Sequence, residues 1–119
     1  MKFKKILVIG GSGFLGSHVV DYLSSKNFDV TVFDIQKSNY LKNENKFILG
    51  DVSDYNKILK AIKGKDIVYN FAGIADIKEA NENPHLAIEK NILGTNNILN
   101  ACVKFKVKRY ILASTIYVY

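Results

Sequence analysis

Gly10-Gly11-Ser12-Gly13-Phe14-Leu15-Gly16 follows directly on the apolar run Ile6-Leu7-Val8-Ile9, with Gly10, Gly13 and Gly16 three positions apart. Those residue types at that spacing suit a phosphate cradle. Gly10 permits a tight backbone turn, and Gly13 lets the main chain approach a pyrophosphate with no side chain between them. Gly16 lets a following helix sit close to a sheet. The free N–H groups and positive dipole end of that helix would meet the phosphates, the dipole alone contributing roughly 0.3–2 kcal/mol. A glycine triplet acquires this meaning only between a strand and a helix. Here an apolar run precedes it, and Leu15, Val19 and Leu23 follow at helical spacing, predicting a helix that lays those three side chains on the sheet.

Other groups of the right chemistry stand where later apolar runs end. Asp34 closes Asp29-Val30-Thr31-Val32-Phe33-Asp34, eighteen positions after Gly16. A carboxylate there can accept hydrogen bonds from the hydroxyls of an adenosine ribose, each charge-assisted bond contributing roughly 1.5–3 kcal/mol. It would also repel a ribose 2′-phosphate. No arginine follows immediately after it and Lys37 is the nearest cation, so the expectation is NAD rather than NADP. Asp51-Val52 follows Lys46-Phe47-Ile48-Leu49 and offers a carboxylate for an adenine amino group beside an apolar wall for the ring. Phe71-Ala72-Gly73 ends the run from Ile67, with residues small enough for a cofactor to pass near the backbone. Ser114-Thr115 ends Tyr110-Ile111-Leu112-Ala113-Ser114 and places hydroxyls where substrate would meet a nicotinamide.

The elements needed to hold these groups are written in the intervening sequence. Ser53 or Asp54 can cap a helix whose inner face carries Ile58, Leu59 and Ile62, with Gly64 as its stop. Asn83-Pro84 can start a long helix with Ile88, Ile92, Thr95, Leu99 and Cys102 on one face. The stretch from Ser38 to Asn45 reads as a loop. Strands alternating with helices imply an α/β fold, a doubly wound parallel sheet of about five strands with right-handed crossovers. In such a sheet ligands bind beyond the carboxyl ends of the strands, at the switch point in strand order.

Composition narrows the classes. The 119 residues suit one domain, 1–119, with a core large enough to need no disulfide staples. The formal charge of +6 has its densest cluster at Lys104-Phe105-Lys106-Val107-Lys108-Arg109, where charges alternate with apolar residues between a helix and a strand. That is the pattern of a solvated connection, and no nucleic-acid partner is expected. No apolar run approaches membrane-spanning length, and the start of the chain carries no apolar signal core. A single cysteine, Cys102, allows no internal disulfide, so the expected setting is cytoplasmic. His18, His85 and Cys102 lack metal-site spacing, and no metal is expected.

Taken together, the motifs resemble the N-terminal part of an extended short-chain dehydrogenase/reductase of the NAD-dependent epimerase/dehydratase family. The likeness rests on Gly-Gly-Ser-Gly-Phe-Leu-Gly, Asp34, Asp51-Val52, Phe71-Ala72-Gly73, Asn91-Ile92-Leu93-Gly94-Thr95 and Ser114-Thr115-Ile116-Tyr117-Val118-Tyr119, in that order. The resemblance implies a Rossmann-type fold and NAD as cofactor. It also implies backbone contacts from Phe14 and Leu15 to the pyrophosphate, a supporting role for Asn91, and Thr115 as the hydroxyl that bonds the reacting substrate oxygen. The family's general base is the tyrosine of a Tyr-x-x-x-Lys pair beyond that segment. Tyr22-Leu23-Ser24-Ser25-Lys26 has the spacing but sits on the first helix, and the sequence printed here closes at Tyr119, so 1–119 is expected to hold cofactor without turning over alone. The implied activity is epimerisation or dehydration of a nucleotide sugar by transient hydride transfer, in an enzyme expected to be a homodimer. Two alternatives stay open: a reductase or dehydrogenase acting on a non-sugar substrate, and a non-catalytic dinucleotide-binding module.

Overall fold

A computed structural model of the chain describes residues 4–42 and 46–115. Its strands are β1 (Lys5–Ile9), β2 (Asp29–Asp34), β3 (Lys46–Leu49), β4 (Ile67–Asn70) and β5 (Arg109–Leu112). All neighbours pair in parallel, in the order β3-β2-β1-β4-β5. The order reverses between β1 and β4, which makes their carboxyl ends the switch point. The register sets Ile9 beside Phe33 on one side and Asn70 on the other, and aligns Asp34 with Leu49 and Asn70 with Leu112. All five strands therefore leave the sheet within one residue of the same level.

The sheet is buried on both faces, as its apolar strands require. Alternation along β1 sends Leu7 and Ile9 into one layer with Phe33, Ile58, Ile62, Val68 and Ile98. Ile6 and Val8 go into the other, with Val20, Leu23, Val30 and Val32. The first layer lies under α2 (Tyr55–Ile62) and α5 (Gly94–Lys104), and the second under α1 (Phe14–Ser25). Asp54 caps α2 by accepting from the Lys57 N–H at 3.2 Å, and Gly64 follows at φ +79°. Asn83 caps α4 (Pro84–Ile88) by accepting from the Leu86 N–H at 3.2 Å.

Two helix faces differ from expectation. In α1 the buried residues are Gly16, Ser17, Val20 and Leu23, while Leu15 is 56% exposed. A Cβ on Gly16 would strike the Gly10 carbonyl oxygen, so the helix must turn Gly16 toward the glycine turn, and that contact sets its phase. The single long helix from Pro84 is α4, a π-helical turn over Glu89–Leu93, and α5. Ile88, Ile92 and Leu99 are exposed, and the buried face of α5 is Gly94, Ile98, Ala101 and Cys102. Its small residues let α5 close on the layer below: a Cβ on Gly94 would meet Val52 Cγ2 at 2.5 Å. A short helix, α3 (Ile77–Glu82), capped by Asp76, precedes α4 where no helix is legible in the sequence.

The basic cluster is a connection between elements. Phe105 and Val107 pack on the core, Lys106 takes φ +54°, and Lys108 lies 3.8 Å from Asp66. Among the described residues no helix is long and apolar enough to cross a membrane.

Candidate dinucleotide-binding site

A cavity of about 370 Å³ opens at the switch point. The glycine turn supplies its floor. Gly10 holds φ +78°, and a Cβ there would lie 2.7 Å from both the Phe71 carbonyl carbon and the Ala72 nitrogen. The turn can therefore pass over the end of β4 only as glycine. Gly10 donates to the Phe33 carbonyl at 2.8 Å, tying the turn to β2 as well. Gly13 caps α1 with no side-chain hydrogen bond, and the first turn of α1 carries no acid. The helix thus presents its N–H groups and positive end without a competing anion, which fits a pyrophosphate. Phe14 and Leu15 lie in that first turn with exposed side chains, leaving their main chain as the part that can serve the site.

Asp34 is fixed from two sides. One carboxylate oxygen accepts from the Ser12 N–H at 3.0 Å and the other from the Ile35 N–H at 2.7 Å. The acid that closes β2 is thereby locked onto the glycine turn across 22 positions of sequence. Each oxygen retains acceptor capacity for a vicinal diol. Lys37, the nearest cation in sequence, holds its amine 5.9 Å from the centre of the Phe47 ring.

Asp51 and Val52 follow β3. Val52 lines the cavity while most of its surface is buried in the core. Asp51 accepts from the N–H and the hydroxyl of Ser53 on one oxygen, both at 2.9 Å, and from Lys90 Nζ on the other. Burial works against the Asp51 charge, but the hydrogen bonds from Lys90 and Ser53 outweigh it and hold the carboxyl below its ordinary range.

At the end of β4, Asn70 is buried with both ends of its amide bonded. Its nitrogen donates to the Tyr110 hydroxyl at 3.0 Å and its oxygen accepts from the Ala72 N–H at 3.0 Å, fixing the start of the Phe71-Ala72-Gly73 wall. Asn91 grips the next residue. Its oxygen accepts from the Ile74 N–H at 2.7 Å and its nitrogen donates to the Ile74 carbonyl at 3.0 Å. Gly73 permits this at φ +140°, since a Cβ would fall 2.5 Å from the Asn91 amide oxygen.

Of the residues singled out in the sequence, Gly10, Gly13, Asp34, Asp51, Val52, Phe71, Ala72 and Gly73 line one cavity. Gly16 packs beneath it, and Asn91 shapes its rim through Ile74. Thr115 is exposed beyond β5 and outside the cavity wall, and residues 116–119 of its motif lie outside the described residues. Tyr22 and Lys26 keep to α1, the amine 5.5 Å from the ring centre. Burial pushes the Cys102 thiol up to about 11, so it stays protonated and unreactive. Sequence reasoning missed Lys90 and Glu79, two charged residues of the wall. A lysine and an acid on helices carry no local mark of facing a cavity, and the partner of Lys90 is 39 positions away.

A parallel doubly wound sheet with a glycine turn, an open helix N-terminus and an acid closing β2 at one switch point defines the class of dinucleotide-binding proteins. Comparison with known proteins narrows this. The model of the NAD dependent epimerase/dehydratase family matches residues 6–119, and the chain belongs to that family. It is 35% identical over 112 residues to a human protein, "Sterol-4-alpha-carboxylate 3-dehydrogenase, decarboxylating", covering 94% of this chain and 29% of that protein. A putative UDP-glucose 4-epimerase of Methanocaldococcus jannaschii is 34% identical, with 92% of this chain and 37% of the relative covered. Among solved structures, the Thermus thermophilus UDP-glucose 4-epimerase in complex with NAD superposes with a TM-score of 0.88 at 33% identity, covering 93% of this chain and 37% of that one. The chain thus spans about a third of the length of the relatives it matches.

Proposed function

We propose that residues 1–119 form the cofactor-binding domain of an NAD-dependent nucleotide-sugar epimerase or dehydratase. The observation that carries this reading is the 3.0 Å bond from the Ser12 N–H to Asp34, which makes the phosphate turn and the ribose acid a single rigid unit at the switch point. The main chain of Gly13, Phe14 and Leu15 would meet the pyrophosphate, and Asp34 the adenosine ribose. Asp51 and Val52 would take the adenine, while Phe71, Ala72 and Gly73 line the path toward the nicotinamide. Asn91 acts through the loop it holds, and Thr115 is assigned to the reacting substrate oxygen. NAD, when bound, supplies a hydride acceptor that can return what it takes, so an epimerase needs no second substrate. NADP is disfavoured by Asp34, with Lys37 directed at Phe47.

The UDP-glucose epimerase relative and the superposed structure support a sugar nucleotide as substrate. A second reading, a dehydrogenase acting on a non-sugar substrate with net cofactor turnover, is favoured by the human relative at nearly the same identity. For the whole enzyme we propose a cytoplasmic homodimer; the exposed stripe of Ile88, Ile92, Leu99 and Val103 supports self-association. The binding reading is tested by calorimetric titration with NAD and NADP. Saturable binding of NAD, tighter than NADP, is expected, and no heat with either would end it. Incubating the whole protein with UDP-glucose, and separately with a sterol carboxylate and excess NAD, separates the two activities by which one gives product.

A further inference from the structure

We propose that Lys90 is a positioning residue for base recognition: by occupying Asp51 it leaves that carboxylate one open acceptor position, which selects a dinucleotide whose base carries an exocyclic amine over one carrying a carbonyl at the same place. The inference rests on the dinucleotide reading above and deepens it. An ionised carboxylate has about four lone-pair positions. On Asp51, Oδ1 receives both the N–H and the hydroxyl of Ser53, and Oδ2 receives Lys90 Nζ. One position remains, on Oδ2, in a side chain that is 39% exposed and lines the cavity. The lysine is the more enclosed partner at 19%, and its ammonium is held further by the Ser53 hydroxyl at 3.4 Å and Glu89 at 3.9 Å. The contacts of the cation are thus with protein acceptors, while the anion keeps one acceptor position in a side chain that lines the cavity. Such a site accepts from an N–H and repels a carbonyl oxygen. Without Lys90, the carboxylate keeps only the two Ser53 bonds on Oδ1, and both positions of Oδ2 are open to water.

The backbone explains why a lysine can do this. Lys90 lies in the π-helical turn between α4 and α5, immediately before Asn91, whose side chain grips Ile74. That grip fixes the turn against the β4 loop and brings the lysine over Asp51, across 39 positions of sequence.

The test compares NAD with nicotinamide hypoxanthine dinucleotide, which carries a carbonyl in place of the adenine amine and a hydrogen on the neighbouring ring nitrogen, in calorimetric titrations of the full chain. The parent should prefer NAD by about tenfold or more, the range of one charge-assisted hydrogen bond. Lys90→Met should bring the two affinities within about threefold of each other by weakening NAD alone, with the melting temperature showing that the chain is folded. Lys90→Arg, which keeps a cation in reach of Asp51, should retain the preference. Equal weakening of both ligands by Lys90→Met, or an unchanged ratio, overturns the role of Lys90. Asp51→Asn separates the two levels. Loss of the preference there, with Lys90→Met silent, removes only this inference; no change in Asp51→Asn, or no binding of either dinucleotide by the parent, removes the placement of the base as well.

Discussion

On the β1–β2 side of the cavity the ligand-facing surface is mostly main chain, and on the side formed by the β4 loop and the α4–α5 helices it is held by side chains. The first side is a turn of glycines under a helix N-terminus, fastened by Gly10 N–H to Phe33 and Ser12 N–H to Asp34. The second depends on Asn70, which holds the nearby Ala72 N–H, and on Asn91 and Lys90, which reach across gaps in sequence to bond a wall and an acid of the site. Main-chain geometry tolerates almost no substitution where it is tight, because the clash is with backbone. A side-chain bond can be lost one at a time, at a cost set by exposure and by what is left unpaired.

The sharpest way to break the first side is Gly10→Ala. The left-handed φ costs about 1–2 kcal/mol and the contact with Phe71 and Ala72 about 1–3 kcal/mol more. The expected outcome is a melting temperature lower by about 10 °C or more, or failure to fold, read by circular dichroism. Asp34→Ala is next. It removes one or two charge-assisted bonds to the ribose and should abolish the preference for NAD over NADP, a change of about ten- to a hundredfold in the ratio of dissociation constants. Tighter NADP binding by the parent would reverse the cofactor assignment.

On the other side the losses are smaller. Asn91→Ala removes both bonds to Ile74 at an exposed position, for about 1–2 kcal/mol spread over loop order and ligand affinity. We expect NAD binding to weaken several-fold with little change in melting temperature. Asn91→Asp, which keeps the acceptor for the Ile74 N–H but sets an anion against the Ile74 carbonyl, should be no better than alanine. Ser12→Ala checks that the first side really is main chain. The Ser12 hydroxyl is buried and has no hydrogen-bond partner among the described residues, whereas its N–H holds Asp34. Stability should stay within about 1 kcal/mol of the parent or rise, and NAD affinity should not move. A large loss in either would assign the hydroxyl a role.

The same division explains what the sequence made legible. The limits of β2 and β3 match their apolar runs, and the acids after them stand where the runs predict, because parallel buried strands advertise themselves by composition. Eight of the anticipated residues share one cavity for that reason. Of the stripe Leu15, Val19 and Leu23 in α1, Val19 and Leu23 do reach the core, and only Leu15 is turned out, because the Gly16–Gly10 contact sets the start of the helix. The helix after Pro84 carries apolar residues on two faces, and nothing local marks the π turn that separates α4 from α5. The Lys90–Asp51 pair depends on that turn and on the packing of Gly94 against Val52, so it is a tertiary fact with no local signature.

The smallest expected loss belongs to that pair and is read in acid. The Asp51 pKa is lower in the folded chain than its ordinary value, so the folded state binds that proton less readily than the unfolded one. The resulting stability is complete above the ordinary carboxylate range and is lost as pH falls through the lower, folded value. Asp66 is likewise held low, by the Lys5 N–H first and then by nearby lysines, and adds its own acid loss. Lys90 does not touch Asp66, so the difference between parent and Lys90→Met isolates Asp51. Denaturant melts at descending pH should show the two curves parallel while carboxylates are ionised and converging below about pH 4, as the parent surrenders what the variant never had. The gap is small because the pair is partly open to solvent. A gap that persisted in strong acid would mean that the lysine stem contributes by packing rather than by charge, and the β4–α5 side would then resemble the glycine side more than its hydrogen bonds suggest.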